Sequence, residues 1–211
     1  MNLARLLQLA SPALPVGAYT YSQGLEWAVE AGTVKDEATA LTWIGDQLEW
    51  NLGRYEAPLL ARMMAADEAT LAELDAQYLA SRETAELRAE TLQMGHSLKR
   101  LIADLGDVGV PPRLTFAAVW ASLAAKWNIA PAEALTAWLW SWAENQTMAA
   151  LKAVPLGQAA GQRILLEIGD RIPAIVERAP ALDEDSTSNF APGFAIACAR
   201  HETQYSRLFR S

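Results

Sequence analysis

The stretch TFAAVWASLAAKWNIAPAEALTAWLWSW, residues 115–142, decides the fold class of this chain. Its large apolar residues recur three or four positions apart, which is the spacing of one face of an α-helix. Thr115 stands where a helix N-cap is expected, and Pro131 suits the first turn of a second helix. This stretch therefore predicts two amphipathic helices in an all-α protein.

The same periodicity continues outward in both directions. Asp36 predicts the cap of a helix that ends near Gly53, another helix begins near Arg54, and Asp67 caps its successor. A long helix is predicted over residues 82–103, where interleaved charges indicate a solvated face. No alternating pattern typical of strands appears. We therefore predict a bundle of about nine or ten helices.

The chain offers only weak signals for a domain boundary. A loop is predicted at residues 106–112, which hold two glycines and two prolines. The polar, acidic segment DEDSTSN, residues 183–189, is the best linker, but it separates too few residues to form a second domain. We predict one all-helical domain over residues 1–211, with an interaction tail at about residues 200–211.

Composition excludes several classes of protein. The chain has 211 residues, of which 52% are hydrophobic and 20% charged, and its formal net charge is −8. Nucleic acid is not an expected partner, because phosphate binding requires an excess of Lys and Arg. No apolar run is long enough to span a bilayer and no signal peptide is recognised, so we expect a cytoplasmic protein without a membrane partner.

Motifs for catalysis are missing from the sequence. It contains no Walker A loop, GxGxxG, HExxH or GxSxG, so we predict a protein that is not an enzyme and has no cofactor. Cys198 and His201 are three residues apart and could supply half of a soft metal site. The alternative is a small buried cysteine and a surface or capping histidine. The alternative is favoured because further ligands are missing, and we predict no metal site.

The eight tryptophans fall mainly at helical spacing, which favours core packing over a ligand-binding cluster. Trp138, Trp140 and Trp142 cannot all point in one direction on a single helix. Trp140 is therefore expected to face a different neighbour, for which another subunit is a candidate.

The C-terminal segment HETQYSRLFRS, residues 201–211, combines aromatic, apolar and basic residues. Arg207 and Arg210 make it basic although the whole chain is acidic, and such residues are favoured at interface hot spots. If the last helix continues through this segment, a single stripe along one helix face is formed by Phe194, Cys198, His201, Tyr205 and Leu208. Two interpretations remain open, a partner-binding tail and a last helix folded back onto its own core.

Four segments resemble the family of the urease accessory protein UreF. They are LLQLASPALPVGAYTYSQGLE at residues 6–26, SRET with ELR and MG between residues 81 and 95, PLGQ at residues 155–158, and the ending at residues 201–211. The resemblance covers nearly the whole chain. One departure is AYTY at residues 18–21, where the family is associated with a run of Phe, Ser and Tyr.

The resemblance implies an all-helical, non-catalytic homodimer that joins the accessory protein UreD, also called UreH, to the nickel-carrying GTPase UreG. Together these proteins deliver nickel to apo-urease. The segments that carry the resemblance, together with Lys152 beside the loop at Pro155, supply the candidate partner-binding residues. These are Tyr19, Ser22, Gly24, Glu26, Lys152, Pro155, Gly157, Gln158, Tyr205, Arg207, Leu208, Phe209, Arg210 and Ser211.

The resemblance leaves more than one role open. The protein is a scaffold, or it regulates GTP hydrolysis by UreG by inserting a polar or cationic side chain into the GTPase active site. Lys152 and Gln158 flank the loop at Pro155 and are the candidates, with Glu26 near the first loop. Lys152 also has a simpler interpretation, as a cation that complements a helix C-terminus. A third class is a chaperone that holds nickel itself.

Overall fold

The computed structural model describes residues 3–106 and 114–211. The predicted loop at residues 106–112 lies outside the described residues except for Gly106. In the described part the chain is all-α, without strands, as the sequence predicts. The helices are α1 (Leu3–Ala10), α2 (Leu25–Glu30), α3 (Glu37–Asp46), α4 (Ala57–Ala65), α5 (Glu68–Ala80), α6 (Ala85–Asp104), α7 (Phe116–Lys126), α8 (Pro131–Ala153), α9 (Gln158–Arg178) and α10 (Pro192–His201).

The predicted helix starts are confirmed by side-chain caps. Asp36 accepts the N–H of Thr39 at 2.9 Å in a capping box, and Asp67 accepts the N–H of Thr70 at 2.9 Å. The Thr115 side chain caps α7, and Pro131 is the first residue of α8. Each cap satisfies one N–H group that a helix start would otherwise leave unpaired.

The predicted helix end at Gly53 is wrong. A π-helical segment, Gln47–Glu56, joins α3 directly to α4. Gly53 is suited to this position because a Cβ atom there would lie 3.2 Å from Ile175 Cγ2. Pro58 has no N–H, and the Arg54 carbonyl oxygen accepts the N–H of Ser188 at 3.1 Å. The acidic segment predicted as a linker is thus packed against this helix.

The core is centred on α8. This helix packs against α9, α1 and α2, and its Trp138 forms an aromatic cluster with two residues of α7. Ring centroids lie 5.3 Å apart between Trp138 and Phe116, and 5.4 Å apart between Trp138 and Trp120. Trp140 is 37% exposed and contacts Gly169 of α9, so it does face away from Trp138. Core packing is therefore the observed use of this cluster.

Gly95 of α6 marks a close approach to α7. A Cβ atom at this position would lie 2.6 Å from the Leu114 carbonyl oxygen, which no side chain tolerates without movement of the backbone. The helix-destabilising glycine is explained by this contact. α6 therefore lies close to the start of α7, and its N-terminal half extends to the candidate functional site.

No helix in the described residues is both long and apolar enough to cross a membrane.

Candidate functional site

Three segments that are distant in sequence meet on one side of the bundle. They are the first loop (residues 11–24), the C-terminal end of α8 at Lys152, and the residues after α10 (residues 202–211, the tail). The helix α10 ends at His201 and does not continue through the tail. Tyr205 and Leu208 are exposed and do not extend its apolar stripe. The tail runs through turns and bends, and hydrogen bonds to the first loop and to α2 and α6 hold it in place.

The end of the tail is bound by the turn before α2. The main-chain oxygen of Ser211 accepts the N–H groups of Ser22 at 2.6 Å and Gln23 at 3.0 Å, and also the Ser22 hydroxyl at 2.6 Å. Gln23 and Gly24 have positive φ angles of 51° and 77°, so the chain turns sharply immediately after these N–H groups. Ser22 and Ser211 are both buried, so these donors satisfy an oxygen that water does not reach.

The side chain of Glu26, in the first turn of α2, accepts two main-chain N–H groups of the tail. Oε1 accepts the N–H of Leu208 at 2.6 Å, and Oε2 accepts the N–H of Phe209 at 2.9 Å. Glu26 is only 7% exposed. A buried carboxylate is tolerated when several donors surround it, and here the tail supplies two of them.

His201, the last residue of α10, links Glu26 to α6. Its Nε2 lies 3.2 Å from Glu26 Oε2, and its Nδ1 lies 2.7 Å from Glu86 Oε2. Because both ring nitrogens face carboxylates, the doubly protonated ring makes both hydrogen bonds and a neutral ring makes one. Arg207 of the tail pairs with the other oxygen of Glu86 at 2.5 Å. His201 is fully buried, so its interpretation as a surface or capping residue is wrong.

The preferred interpretation of Cys198 is confirmed, since this residue is buried among Leu87 and Phe194. Burial raises the pKa of its thiol. A Cβ atom on Gly24 would lie 3.0 Å from Cys198 Sγ, so the glycine permits α2 to approach α10. Among the described residues, no group of three or more His, Cys, Asp and Glu is arranged to hold a metal ion.

Lys152 connects the first loop to the tail. Its ammonium nitrogen lies 5.7 Å from the ring centroid of Tyr19 and 5.5 Å from that of Phe209. Both distances are in the range of a cation–π interaction. Lys152 also lies in the last turn of α8, where its positive charge is favourable beside the negative end of the helix dipole, as the simpler interpretation predicts.

The candidate residues divide into a buried and an exposed group. Ser22, Gly24, Glu26, Phe209 and Ser211 are buried by contacts within the chain. The exposed group surrounds the tail, and we call it the tail face. It consists of Tyr19, Lys152, Tyr205, Arg207, Leu208 and Arg210.

The loop between α8 and α9 follows Lys152 directly. Pro155, Gly157 and Gln158 are exposed there, while Leu156 packs against the core. Gly157 is the N-cap of α9 and Gln158 is the first residue of that helix. The structure therefore brings Lys152 to the tail and leaves Pro155, Gly157 and Gln158 on the adjacent loop.

Charged residues at the start of α6 belong to the site, although their pattern predicts a solvated face. Arg82 forms a buried ion pair with Glu56 at 2.7 Å, and its guanidinium lies 4.5 Å from the ring centroid of Tyr78. Glu90 accepts the Ser211 hydroxyl at 2.7 Å and the Gln23 amide at 2.6 Å. The sequence signal for Glu90 is its register, since it falls on the apolar stripe of α6.

Burial raises the pKa of Glu90 to about 7, against the favourable effects of its hydrogen bonds to Ser211 and Gln23 and of the nearby Arg82. Gln23 of the first loop is held beside Glu90, because Trp142 Nε1 donates to Gln23 Oε1 at 2.8 Å. The protonation of Glu90 is therefore linked to the contact between first loop and tail.

The similarity of this chain to known proteins agrees with the fold. The family model named UreF matches residues 34–169. The chain is 61% identical to the urease accessory protein UreF of Azoarcus sp. (strain BH72), over 100% of this chain and 96% of the relative. It is 59% identical to the urease accessory protein UreF of Dechloromonas aromatica (strain RCB) and 50% identical to that of Methylobacillus flagellatus. Each of these two alignments covers 100% of this chain and 98% of the relative.

We expect Glu26→Ala to release the tail. The change leaves the N–H groups of Leu208 and Phe209 and one nitrogen of His201 without an acceptor, so the free energy of unfolding should fall by about 3 kcal/mol in urea titrations. Trypsin should also cleave after Arg207 faster than in the unaltered chain. Glu30→Ala, at an exposed position of the same helix, is the matched control. Unchanged stability and cleavage would show that Glu26 does not hold the tail.

We expect the free energy of unfolding to decrease between about pH 5 and pH 7 through Glu90. The native pKa of Glu90 is raised to about 7 from 4.5, so the folded state retains a proton that the unfolded state loses in this range. Glu90→Gln should make the decrease shallower, measured by urea unfolding across that range. Glu73→Gln, at an exposed position of α5, should leave the pH dependence unchanged. A decrease of the same slope in Glu90→Gln would refute this assignment.

Proposed function

The chain belongs to the UreF family of urease accessory proteins, and from this membership we propose that it is a scaffold for maturation of the urease nickel centre. In this proposal it bridges a UreD/UreH-type protein and the GTPase UreG while nickel is delivered to apo-urease. The observation that carries the proposal is the tail face, where the first loop, Lys152 and the tail meet. The first loop and the tail are among the segments on which the family resemblance rests.

The tail face has the chemistry of a protein-binding surface. Tyr205 is fully exposed, and Leu208 and Tyr19 are 72% and 65% exposed. Tyrosine and arginine are enriched at interface hot spots, and Arg207 and Arg210 lie beside the exposed apolar residues. We assign this surface to the UreD/UreH-type partner. The buried candidates Ser22, Gly24, Glu26, Phe209 and Ser211 serve it by holding the tail.

We assign the loop at Pro155, Gly157 and Gln158 to UreG, and we place Lys152 at the boundary where this loop adjoins the tail face. The alternative function is regulation of GTP hydrolysis by UreG, and the exposure of Gln158 at the start of α9 favours it over a purely passive scaffold. Lys152 is less suited to insertion into an active site, because Tyr19 and Phe209 already surround its ammonium group.

We expect Tyr205→Ala with Leu208→Ala to weaken capture of the UreD/UreH-type partner by about thirtyfold or more, because even one hot-spot residue contributes at least about 2 kcal/mol. Both side chains are exposed, so the melting temperature should stay nearly constant. Affinity is measured by biolayer interferometry with the purified partner. Phe190→Ala removes an exposed aromatic ring outside the tail and should have no effect. Wild-type affinity in the double variant would exclude this role of the tail.

The same purified components test the loop. We expect Lys152→Ala and Gln158→Ala to reduce capture of UreG or to change its rate of GTP hydrolysis, while exposed Lys35→Ala does neither. Lost capture supports the scaffold, and retained capture with altered hydrolysis supports the regulator. If capture, hydrolysis and urease activation in cells are all unchanged, the loop does not serve UreG.

We further propose that the chain forms a homodimer through the outer face of α8 and α9. Trp140 is 37% exposed beside Gly169, and Leu166, one turn earlier on α9, is 69% exposed. Light scattering should give twice the mass of 22.9 kDa at tens of micromolar, and Leu166→Glu should give the monomer mass because burial of its charge is unfavourable. Leu7→Glu, at an exposed position of α1, is the control. A monomeric mass for the unaltered chain would refute the proposal.

A further inference from the structure

A cavity of about 210 Å³ lies between α1, the first loop, α6 and α8. Its mouth is at the tail face, where the wall residues Tyr19 and Met148 are 65% and 44% exposed. Deeper in the cavity, the wall is formed mainly by apolar side chains that pack in the core of the bundle. These are Leu9, Leu14, Val16, Met94, Phe116 and Trp138.

The most deeply buried charges in the wall are already paired within the chain. Glu56 and Arg82 form an ion pair at 2.7 Å, and their side chains are 6% and 5% exposed. The oxygens of Glu90 accept hydrogen bonds from Gln23 at 2.6 Å and from Ser211 at 2.7 Å. Groups with such partners gain little from a charged ligand, which would itself lose its water on entering the cavity.

Most of the other polar groups of the wall also have partners within the chain. The hydrogen bonds run from Asn145 Nδ2 to the Tyr21 carbonyl oxygen at 3.2 Å, from the Ser141 hydroxyl to the Trp138 carbonyl oxygen at 3.0 Å, and from the Phe116 N–H to the Thr91 hydroxyl at 3.3 Å. Lys152 and Glu144 carry opposite charges and are both accessible to water. The surface that the wall offers to a ligand is therefore mainly apolar.

The aromatic rings of the wall are held in fixed positions. Trp138 is stacked on Phe116 with the ring centroids 5.3 Å apart, and Trp142 Nε1 donates to Gln23 Oε1 at 2.8 Å. A planar ring packs favourably against such preformed aromatic surfaces. The wall also contains two methionines, whose flexible thioethers adapt to the edge of a ring.

We propose that this cavity binds a neutral, planar aromatic compound of about the size of indole. An apolar cavity of about 150 Å³ is sufficient for benzene, so the larger volume here has room for a second fused ring. Binding removes the apolar ring from water and gives it van der Waals contacts with the wall. The site goes beyond the scaffold function, because its ligand is a small molecule and not a partner protein.

Isothermal titration calorimetry of the full chain with indole tests the proposal. We expect saturable binding with a Kd of about 1 mM or lower, as is usual for a ligand of this size. Tryptamine adds an ammonium group to the same ring and indole-3-acetate adds a carboxylate. Both should bind about tenfold more weakly than indole or worse, because the added charge has to leave water. The uncharged 3-ethylindole, which is close to both in size, should bind more tightly than either.

Two substitutions that fill the cavity test its location. Ala10→Phe on α1 and Ser141→Leu on α8 each place a larger apolar side chain in the wall, and each should weaken indole binding about tenfold or more. Ala4→Phe, at an exposed position of α1 outside the wall, is the matched control and should leave the affinity unchanged. Far-UV circular dichroism identifies the variants that remain folded.

Methyl NMR of the unaltered chain tests the location without any substitution. Indole should shift the methyl signals of Met94 and Met148, which lie in the wall, and leave that of Met63, a core residue outside the wall. Absence of saturable heat with millimolar indole, or of these methyl shifts, would overturn the proposal. Charged analogues that bind as tightly as indole would overturn it as well, and so would unchanged indole affinity in the folded filling variants.

Discussion

The carboxylate of Glu26 is the contact on which the tail face depends. It accepts the N–H groups of Leu208 and Phe209 and faces the ring of His201, so both ends of the C-terminal segment meet at one side chain. In a buried setting these donors are obligatory, because an unpaired carboxylate would cost several kcal/mol. Tyr205 and Leu208 are exposed because the segment around them is fixed in this way.

The position of Glu26 depends in turn on the backbone before α2. Gln23 and Gly24 have positive φ angles, and Gly24 leaves room for α10 to approach α2 at Cys198. The same turn supplies the N–H groups that bind Ser211, 189 residues after Ser22. A contact over such a separation forms only when the helices between its ends are packed, so the tail face is a product of the whole bundle.

The tail face carries several cations although the chain as a whole is acidic. The chain as a whole carries a net charge of −8, yet Lys152, Arg207 and Arg210 lie together on the tail face. Lys152 contacts rings from the first loop and from the tail, which joins the surface assigned to the UreD/UreH-type protein to the loop assigned to UreG.

Local sequence determined the helices and their starts. The N-caps are Asp36, Asp67 and Thr115, and each accepts an N–H group only three residues further on. Apolar periodicity extends over one or two helical turns, so both signals can be recognised in the sequence. The resemblance to the family located the segments of the tail face. Sequence did not reveal the π-helical segment Gln47–Glu56, since its continuity depends on packing at Gly53.

Only the tertiary structure decided the environment of the charged residues. Arg82 and Glu90 have the pattern of a solvated face but are buried, because Glu56, Gln23 and Ser211 reach them from distant parts of the chain. His201 is fixed in the same way by two carboxylates on different helices. Periodicity describes which face of a helix is apolar, but hydrogen-bond partners far along the chain determine which polar side chains that face can bury.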